Sequence, residues 1–451
     1  MNWLKQQAQE KPHKKFINDL TFSEVDRRVT DLAGRLYPYV KEETRVALFG
    51  PNSVTLALFY LALQALQKEV FMMNTRLTPA ERAMKLANLN IKVVFSADDT
   101  YIPFQQVFAG EAAADVYCSG GYDPEQIAAI MATSATGGEY KSVPIRWKQF
   151  LAHVQASQQV LGVTEEDNWL LVLPMYHIGG LAILIRSLYN GTRVTIMDKF
   201  VEEEVINLIE TGAVNMLSLV PTMLKRIMER ISQHRLRVVL VSGEFIPDSL
   251  VEACIEKKLP IYKSYGMTET TSQAATFCVA KNPAKFNTVG LPLPGIDIQI
   301  LNPDSDGVGE IAVQGPMVME GYLGKERVQG FFNTQDIGFI DKEGYLYILD
   351  RRQNIIISGG ENIYPQEIEK VLYAHPAIKE CAVVGVPDEK WGQVPVLFVV
   401  SALGNEEILD YLAKSLAKYK LPKKVIHLPE LPRNATGKIS KKSLAELCKI
   451  G

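Results

Sequence analysis

Four stretches of the chain place hydroxyls, glycines, carboxylates and single cations at spacings that could hold a phosphorylated molecule. The run Thr133-Ser134-Ala135-Thr136-Gly137-Gly138-Glu139-Tyr140-Lys141-Ser142 follows an apolar stretch at residues 127–131. Hydroxyls, paired glycines and one lysine after a strand give what a phosphate-wrapping loop needs: backbone N–H groups that can come close, and a cation. Neither GxxxxGK nor a helix entry is present, so this is not a Walker loop. Taken alone, the stretch is more often an ordinary glycine/serine turn.

The second stretch, Ser264-Tyr265-Gly266-Met267-Thr268-Glu269-Thr270, closes an expected strand. Ligands of open α/β sheets bind at the carboxyl ends of strands, where Tyr265 could stack on a flat base while Thr268 and Glu269 face phosphates and a metal. Glu269 is a hard oxygen ligand suited to Mg²⁺; the competing reading is a turn with a buried aromatic. In the third, Asn333 to Asp336 together with Asp350-Arg351, an aspartate accepting from vicinal hydroxyls beside an arginine would hold a ribose, and a surface salt bridge is the alternative. The fourth, Pro432 to Lys438, sets one lysine in a glycine-flanked loop. A long flexible cation on such a loop reaches a phosphate that a rigid element cannot, although a solvated lysine fits the same residues.

Elements able to position these stretches are legible. Residues 21–36 carry Val25, Val29, Leu32 and Leu36 on one helical face. Residues 45–49 and 69–73 read as strands, and Thr78-Pro79-Ala80-Glu81 has the N-cap, first-turn proline and capping-box glutamate of a helix start. Further strands are expected at 91–96, 127–131, 169–173, 193–197, 214–220, 238–241 and 261–265, with helices between them and glycines such as Gly191 and Gly212 at helix ends. This rhythm predicts an α/β chain with two doubly wound parallel sheets. Residues 109–126 are small and polar and read as a surface connection. From Gly290 on, strict alternation (Ile296, Ile298, Ile300) predicts an antiparallel β subdomain over 290–349.

The stretch 350–365, DRRQNIIISGGENIYP, joins a charged run, a short strand and a paired glycine. These are the parts of a pivot between a large unit, residues 1–350, and a smaller mobile α+β unit, residues 354–451, with 351–353 as the hinge.

Composition narrows the classes. A chain of 451 residues with 47% apolar and 22% charged residues predicts two or three globular domains. The net charge of −3 supplies no basic stripe, which argues against a nucleic-acid partner. Five cysteines without CxxC pairing suggest reduced thiols and a cytoplasmic protein, and the N-terminal residues lack the apolar core of a signal peptide. The longest apolar stretch, 54–66, is too short to cross a bilayer ~30 Å thick and reads as a buried helix.

In their order and spacing, these stretches resemble the TSGTTGxPKG, YGxTE, TGD, GRxxxxIxxxGxxIxP and PRxxxGK motifs of the adenylate-forming superfamily of acyl-CoA and aryl-CoA synthetases, adenylation domains and luciferases. The resemblance spans nearly all of the chain. Within that superfamily, LPMYHIGGL (173–181), NTRLT (74–78) and the 350–365 stretch are similar to o-succinylbenzoate-CoA ligases of menaquinone synthesis.

The resemblance implies two-step chemistry: a carboxylate joined to ATP with release of pyrophosphate, then exchange of AMP for the thiol of coenzyme A. It implies ATP, Mg²⁺ and coenzyme A, a small aromatic or dicarboxylic acid, no membrane span and the possibility of a homo-oligomer. By motif, Thr133, Ser134, Thr136, Gly138 and Lys141 would wrap the β and γ phosphates, and Ser242, Gly243 and Glu244 would meet the adenine edge. Tyr265, Gly266 and Met267 would complete the nucleotide site, with Thr268 on the α-phosphate and Glu269 on magnesium. Asp336 and Arg351 would hold the ribose, and Lys438 would bridge the carboxylate and the α-phosphate.

His177, Ser218, Pro221, Ser264 and Gly266 would line the acyl pocket; a hydrogen-bonded core histidine is the other reading of His177. Gln353 would be the pivot, and Gly359 and Gly360 would line the coenzyme A channel. Four residues of the phosphate loop depart from the family pattern, Ala135, Gly137, Tyr140 and Ser142, and Gln335 stands where TGD has glycine. These departures bear on pyrophosphate handling, and a nucleotide-binding scaffold or another aryl- or short-acyl-CoA ligase are the alternative readings.

Overall fold

Two large sheets, each parallel in its interior, share one apolar core. The computed structural model describes residues 2–113, 121–133, 141–359, 361–433 and 438–448. Ser134, Thr136, Gly138 and Gly360 therefore lie outside the described residues, as do Ala135, Gly137 and Tyr140.

The nine-stranded sheet runs in parallel through Ile261–Tyr265, Val238–Val241, Met216–Leu219, Asn168–Leu171, Arg193–Ile196 and Lys15–Ile17. The six-stranded sheet does so through Ile102–Pro103, Val93–Ser96, Arg45–Phe49, Glu69–Met73 and Ile127–Thr133. Successive side chains of a strand face opposite ways, so every interior strand must satisfy two cores. Trp169 and Leu171 join the core between the sheets while Leu170 joins an outer one; Val46 and Leu48 divide in the same way from Ala47 and Phe49.

The helices in the central core have no polar face to spare. Val54–Ala65 is buried from Leu56 through Ala65, and Ile178–Asn190 from Gly180 through Leu188. The stretch expected as a buried helix is therefore one, and among the described residues no helix is long and apolar enough to cross a membrane. Helix starts follow their sequence signals: Thr21 and Thr78 both form capping boxes, with Glu24 and Glu81. Gly191 ends its helix at φ +62°, the left-handed turn that favours glycine.

Three features differ from the sequence expectation. The sheets are not wholly parallel: Lys141–Arg146 returns antiparallel beside Ile127–Thr133, and Ala275–Cys278 and Leu291–Pro292 return antiparallel at the edge of the larger sheet. A short hairpin suffices for an antiparallel return, whereas a parallel crossover takes a dozen residues or more. Pro144 within Lys141–Arg146 hid the strand, yet proline is tolerated at a sheet edge, which is where it sits. Helix Phe22–Val40 continues past residue 36 through Pro38. The 109–126 connection is also not wholly superficial, because Tyr122 is buried and stacks on Trp147 with ring centroids 4.0 Å apart.

Asp297–Leu301, Gly309–Gln314, Phe332–Ile340 and Leu346–Arg351 form a four-stranded antiparallel sheet, as the alternation predicted. Beyond it a five-stranded sheet, which includes Ile356–Ser358, Ile378–Asp388 and Gly392–Ser401, packs against helices Pro365–Tyr373 and Asn405–Ala413 around its own apolar cluster.

Gly180 shows how tightly the central core is set. A Cβ there would lie 2.2 Å from the Pro174 carbonyl oxygen and 2.5 Å from that of Leu173, both backbone atoms. Gly180→Ala must shift the loop that carries His177, and a loss of more than about 2 kcal/mol is expected. A lowered denaturation midpoint would show it; an unchanged midpoint would mean the loop yields freely.

Candidate active site

Four strands adjacent in the larger sheet, Asn168–Leu171, Met216–Leu219, Val238–Val241 and Ile261–Tyr265, run parallel and end at one edge. His177 follows the first, Ser218 and Pro221 close the second, Ser242-Gly243-Glu244 follow the third, and Tyr265 to Glu269 follow the fourth. The carboxyl edge of a parallel sheet is where open α/β folds bind ligands, so sheet order alone gathers residues separated by about ninety positions.

Tyr265 is tied to the antiparallel sheet: its phenol donates to Asp336 Oδ2 at 2.6 Å, and Asp336 Oδ1 meets Arg351 Nε at 3.0 Å. Asp336 is buried, and burial raises its pKa above the usual aspartate range, against the pull of Arg351 and the Tyr265 hydrogen bond. Burial, reinforced by Asp336, also pushes the Tyr265 phenol well above its ordinary value. Gln335 holds φ +63° with its N–H donated to Asn333 Oδ1 at 2.8 Å, so a left-handed turn presents Asp336 even without glycine.

Lys438 lies open to solvent in the cleft. The surrounding protein lowers its pKa from the ordinary lysine value by desolvation, which Glu244 and Asp336 oppose and Arg351 reinforces. Glu244 has a raised pKa, chiefly from burial, with Lys438 and Arg433 pulling it back. His177, with Tyr176 at 4.8 Å between ring centroids, is held down to about 4 by burial, then by Lys438 and Arg76. Lys438 thus lies within electrostatic reach of His177, Glu244, Asp336 and Arg351, and Tyr265 is bonded to Asp336.

The segment after Tyr265 folds back sharply. Thr268–Thr270 is a single 3-10 turn, followed by Thr271 at φ +53° and Ser272 at φ +99°. Gly266 is required there, since a Cβ would stand 1.8 Å from the Ser272 carbonyl oxygen. The turn leaves the Met267 N–H bonded to Thr270 Oγ1 at 3.0 Å and buries Glu269 against Tyr322, whose phenol donates to Glu269 Oε1 at 2.9 Å. Ser264 spends its hydroxyl inside the sheet, on the Ala275 carbonyl at 3.1 Å and on Thr276 Oγ1 at 2.7 Å.

The expected phosphate loop joins two antiparallel strands, with Thr133 at one end and Lys141 at the other; the Lys141 Nζ lies 4.8 Å from the centroid of the Tyr322 ring. Gln353 sits exposed in the turn Arg352–Asn354, where Arg352 pairs with Glu310 at 2.6 Å. Gly359 is also exposed, at φ +61°, with its N–H on the Trp391 carbonyl at 2.8 Å. Among the described residues no cluster of three or more histidine, cysteine or acidic side chains could hold a metal.

Motif reading missed Tyr322 and the placing of Arg76 beside His177; it singled out Asp350 with Arg351, but not as a buried acceptor. Asp350 is fully buried and accepts from Arg351 N, Asn354 Nδ2 and Gln366 N at 2.7–2.9 Å. Only the tyrosine of the Gly321-Tyr322 pair and the arginine of NTRLT offered a local signal.

Comparison with known proteins matches residues 4–323 to the family described as AMP-binding enzyme, and residues 367–438 to the AMP-binding enzyme C-terminal domain. The chain belongs to the AMP-binding enzyme family. Among relatives of that family, it is 47% identical to a 2-succinylbenzoate--CoA ligase of Lactococcus lactis, covering 98% of this chain and 100% of that protein. The o-succinylbenzoate CoA synthetase of Bacillus subtilis in complex with the acyl-adenylate intermediate OSB-AMP superposes with a TM-score of 0.92 at 34% identity, covering 98% of this chain and 97% of the other. A double mutant of that synthetase bound with its product analogue OSB-NCoA gives 0.76 at the same identity and coverage.

The depressed His177 pKa sets a pH dependence. A folded value near 4 against about 6.5 when unfolded means that stability is full above pH 6.5 and is lost as pH falls toward 4. Ring-labelled NMR, with His177→Gln to assign the signal among six histidines, is expected to show a neutral ring down to pH 5. A midpoint near 6.5 would contradict this environment.

Proposed function

We propose that this chain is an ATP-dependent acid-CoA ligase that converts 2-succinylbenzoate to 2-succinylbenzoyl-CoA, the activity named for its 47%-identical relative and a step of menaquinone biosynthesis. The observation that carries the reading is the convergence of Lys438 with Asp336, Arg351, Glu244 and His177 at the carboxyl edge of the parallel strands. A passive nucleotide binder has no use for a lysine delivered there from the far end of the chain.

In the first half-reaction the acid's carboxylate oxygen attacks the α-phosphorus of ATP, the bond to the bridging oxygen breaks, and pyrophosphate leaves. Lys438 donates to the carboxylate and to an α-phosphate oxygen, bringing two anions together and offsetting the charge that develops. Fixed donors of this kind supply much of the rate enhancement in water-poor sites. Thr268 faces the α-phosphate, and Thr133, Ser134, Thr136, Gly138 and Lys141 take the β and γ phosphates. Asp336 accepts from the ribose hydroxyls with Arg351 beside it; Tyr265 stacks on the base, flanked by Gly266 and Met267, and Ser242, Gly243 and Glu244 meet its edge.

A lone buried carboxylate, Glu269, suits a magnesium ion that arrives on the nucleotide and takes most of its ligands from phosphate and water, whereas a dedicated cage would need more protein ligands. When bound, that ion neutralises charge on the phosphate oxygens. His177, neutral at working pH, forms the acyl pocket with Ser218, Pro221, Ser264 and Gly266.

In the second half-reaction the coenzyme A sulfur attacks the acyl carbonyl, gives up its proton and displaces AMP. Residues 1–350 and 354–451 act as the two units of this reading and 351–353, with Gln353, as the hinge. Rotation withdraws Lys438 and brings Gly359 and Gly360 to the pantetheine channel. The enzyme is placed in the cytoplasm.

Mixing the protein with ATP, Mg²⁺, 2-succinylbenzoate and coenzyme A should yield pyrophosphate and thioester by mass spectrometry, and faster turnover of benzoate or a fatty acid would reject the substrate. Lys438→Ala should lower acyl-adenylate formation by roughly a hundredfold or more with ATP binding retained. Adenylate formation at the wild-type rate would remove Lys438 from the mechanism.

A further inference from the structure

Glu269 and Lys141 come from different sheets, and residues 317–323 are bonded to the surroundings of both. Met319 N donates to the Glu269 carbonyl at 2.7 Å and Thr271 Oγ1 to the Met317 carbonyl at 2.7 Å, while Leu323 N donates to the Ser142 carbonyl at 2.9 Å. Within this strut stands the half-buried Tyr322. Its phenol donates to Glu269 Oε1 at 2.9 Å, and its ring lies 4.8 Å from the Lys141 ammonium. One side chain thus addresses a carboxylate through its hydroxyl and a cation through its ring, the two faces a tyrosine can offer to opposite charges.

We infer that Tyr322 is a positioning residue that keeps Glu269 and Lys141 apart and aimed at the same phosphates. The inference rests on the roles proposed for those two residues. An unspaced carboxylate and ammonium would pair with each other and withdraw from metal and nucleotide. Tyr322 satisfies both charges by weaker contacts, which an incoming metal-bound triphosphate can outcompete.

The test measures binding rather than turnover, with Mn²⁺ plus ATP followed by electron paramagnetic resonance and metal-free AMP by calorimetry. Tyr322→Phe keeps the ring and loses the hydroxyl; Tyr322→Leu loses both. In Tyr322→Phe, Mn²⁺ affinity in the presence of ATP should fall roughly tenfold, the scale of a hydrogen bond to a charged group, with AMP affinity and melting temperature unchanged. Tyr322→Leu should in addition weaken metal-free ATP several-fold, and the Phe variant alone decides the matter if the Leu variant does not fold.

Glu269→Gln separates the two readings. If it weakens Mn²⁺ binding while both Tyr322 variants bind like the wild type, the inference fails and the role of Glu269 stands. If Glu269→Gln binds Mn²⁺ normally, both fall. A parallel loss of AMP affinity in Tyr322→Phe would also overturn the inference, since AMP lacks the phosphates concerned.

Discussion

Asp350 is the point on which the cleft depends. It is a carboxylate with no exposed surface, placed where the antiparallel sheet gives way to the C-terminal residues, and it accepts from Arg351 N, Asn354 Nδ2 and Gln366 N. A buried charge costs several kcal/mol unless its lone pairs are filled, so these donors hold one another in place. Arg351 begins at Asp350 and reaches Asp336; Gln366 opens the helix Pro365–Tyr373, whose Glu369 pairs with Lys441 at 2.8 Å. Lys441 lies three residues beyond Lys438. The path from the residue beside the expected ribose site to the catalytic lysine candidate therefore runs through two buried carboxylates, Asp350 and Glu369. No arrangement of the parallel strands could supply that path.

Much of this was legible beforehand, for a physical reason. Strand ends in a parallel sheet share one edge, so an apolar run followed by polar and glycine residues marks a site wherever the fold is doubly wound. Tyr265, Glu269, His177 and Glu244 fall at such ends and were found. Interior strands were readable because both faces are apolar, as in Val238–Val241. Edge strands were not: Lys141–Arg146 carries a proline and charged ends, which an edge permits and a local pattern penalises. Tyr322 escaped because its importance lies in a partner 53 residues away, and Asp350 was picked out only beside Arg351, since nothing in LDR announces its contact with Gln366, 16 residues on.

Gln335 shows how a departure from a motif can be absorbed. The family pattern has glycine there, and the backbone does adopt the left-handed conformation, at φ +63°. A non-glycine residue in that region costs about 1–2 kcal/mol, and the Asn333 side chain accepting the Gln335 N–H at 2.8 Å offsets part of it. Asp336 keeps its contacts to Tyr265 and Arg351. The geometry the glycine would serve thus survives its loss, which weakens the case for a degenerate scaffold at this position.

In the proposed reaction one lysine has to act in the first half-reaction and be withdrawn for the second. Lys438 is balanced by Glu244 and Asp336 and opposed by Arg351, a setting that suits it to an incoming carboxylate and phosphate. Gly359, the residue expected to approach a pantetheine arm, is exposed against Trp391, where a Cβ would come within 2.8 Å of the indole. In the proposed mechanism the second half-reaction requires the contacts Lys438 makes in the first to be undone. Within the turn Arg352–Asn354, Asn354 is held on the buried Asp350, whereas Arg352, 64% exposed to water in its pair with Glu310, makes a surface contact of the kind that contributes less than about 1 kcal/mol. In the proposed hinge, the firmly held Asp350 thus adjoins the loosely held side chain of Arg352.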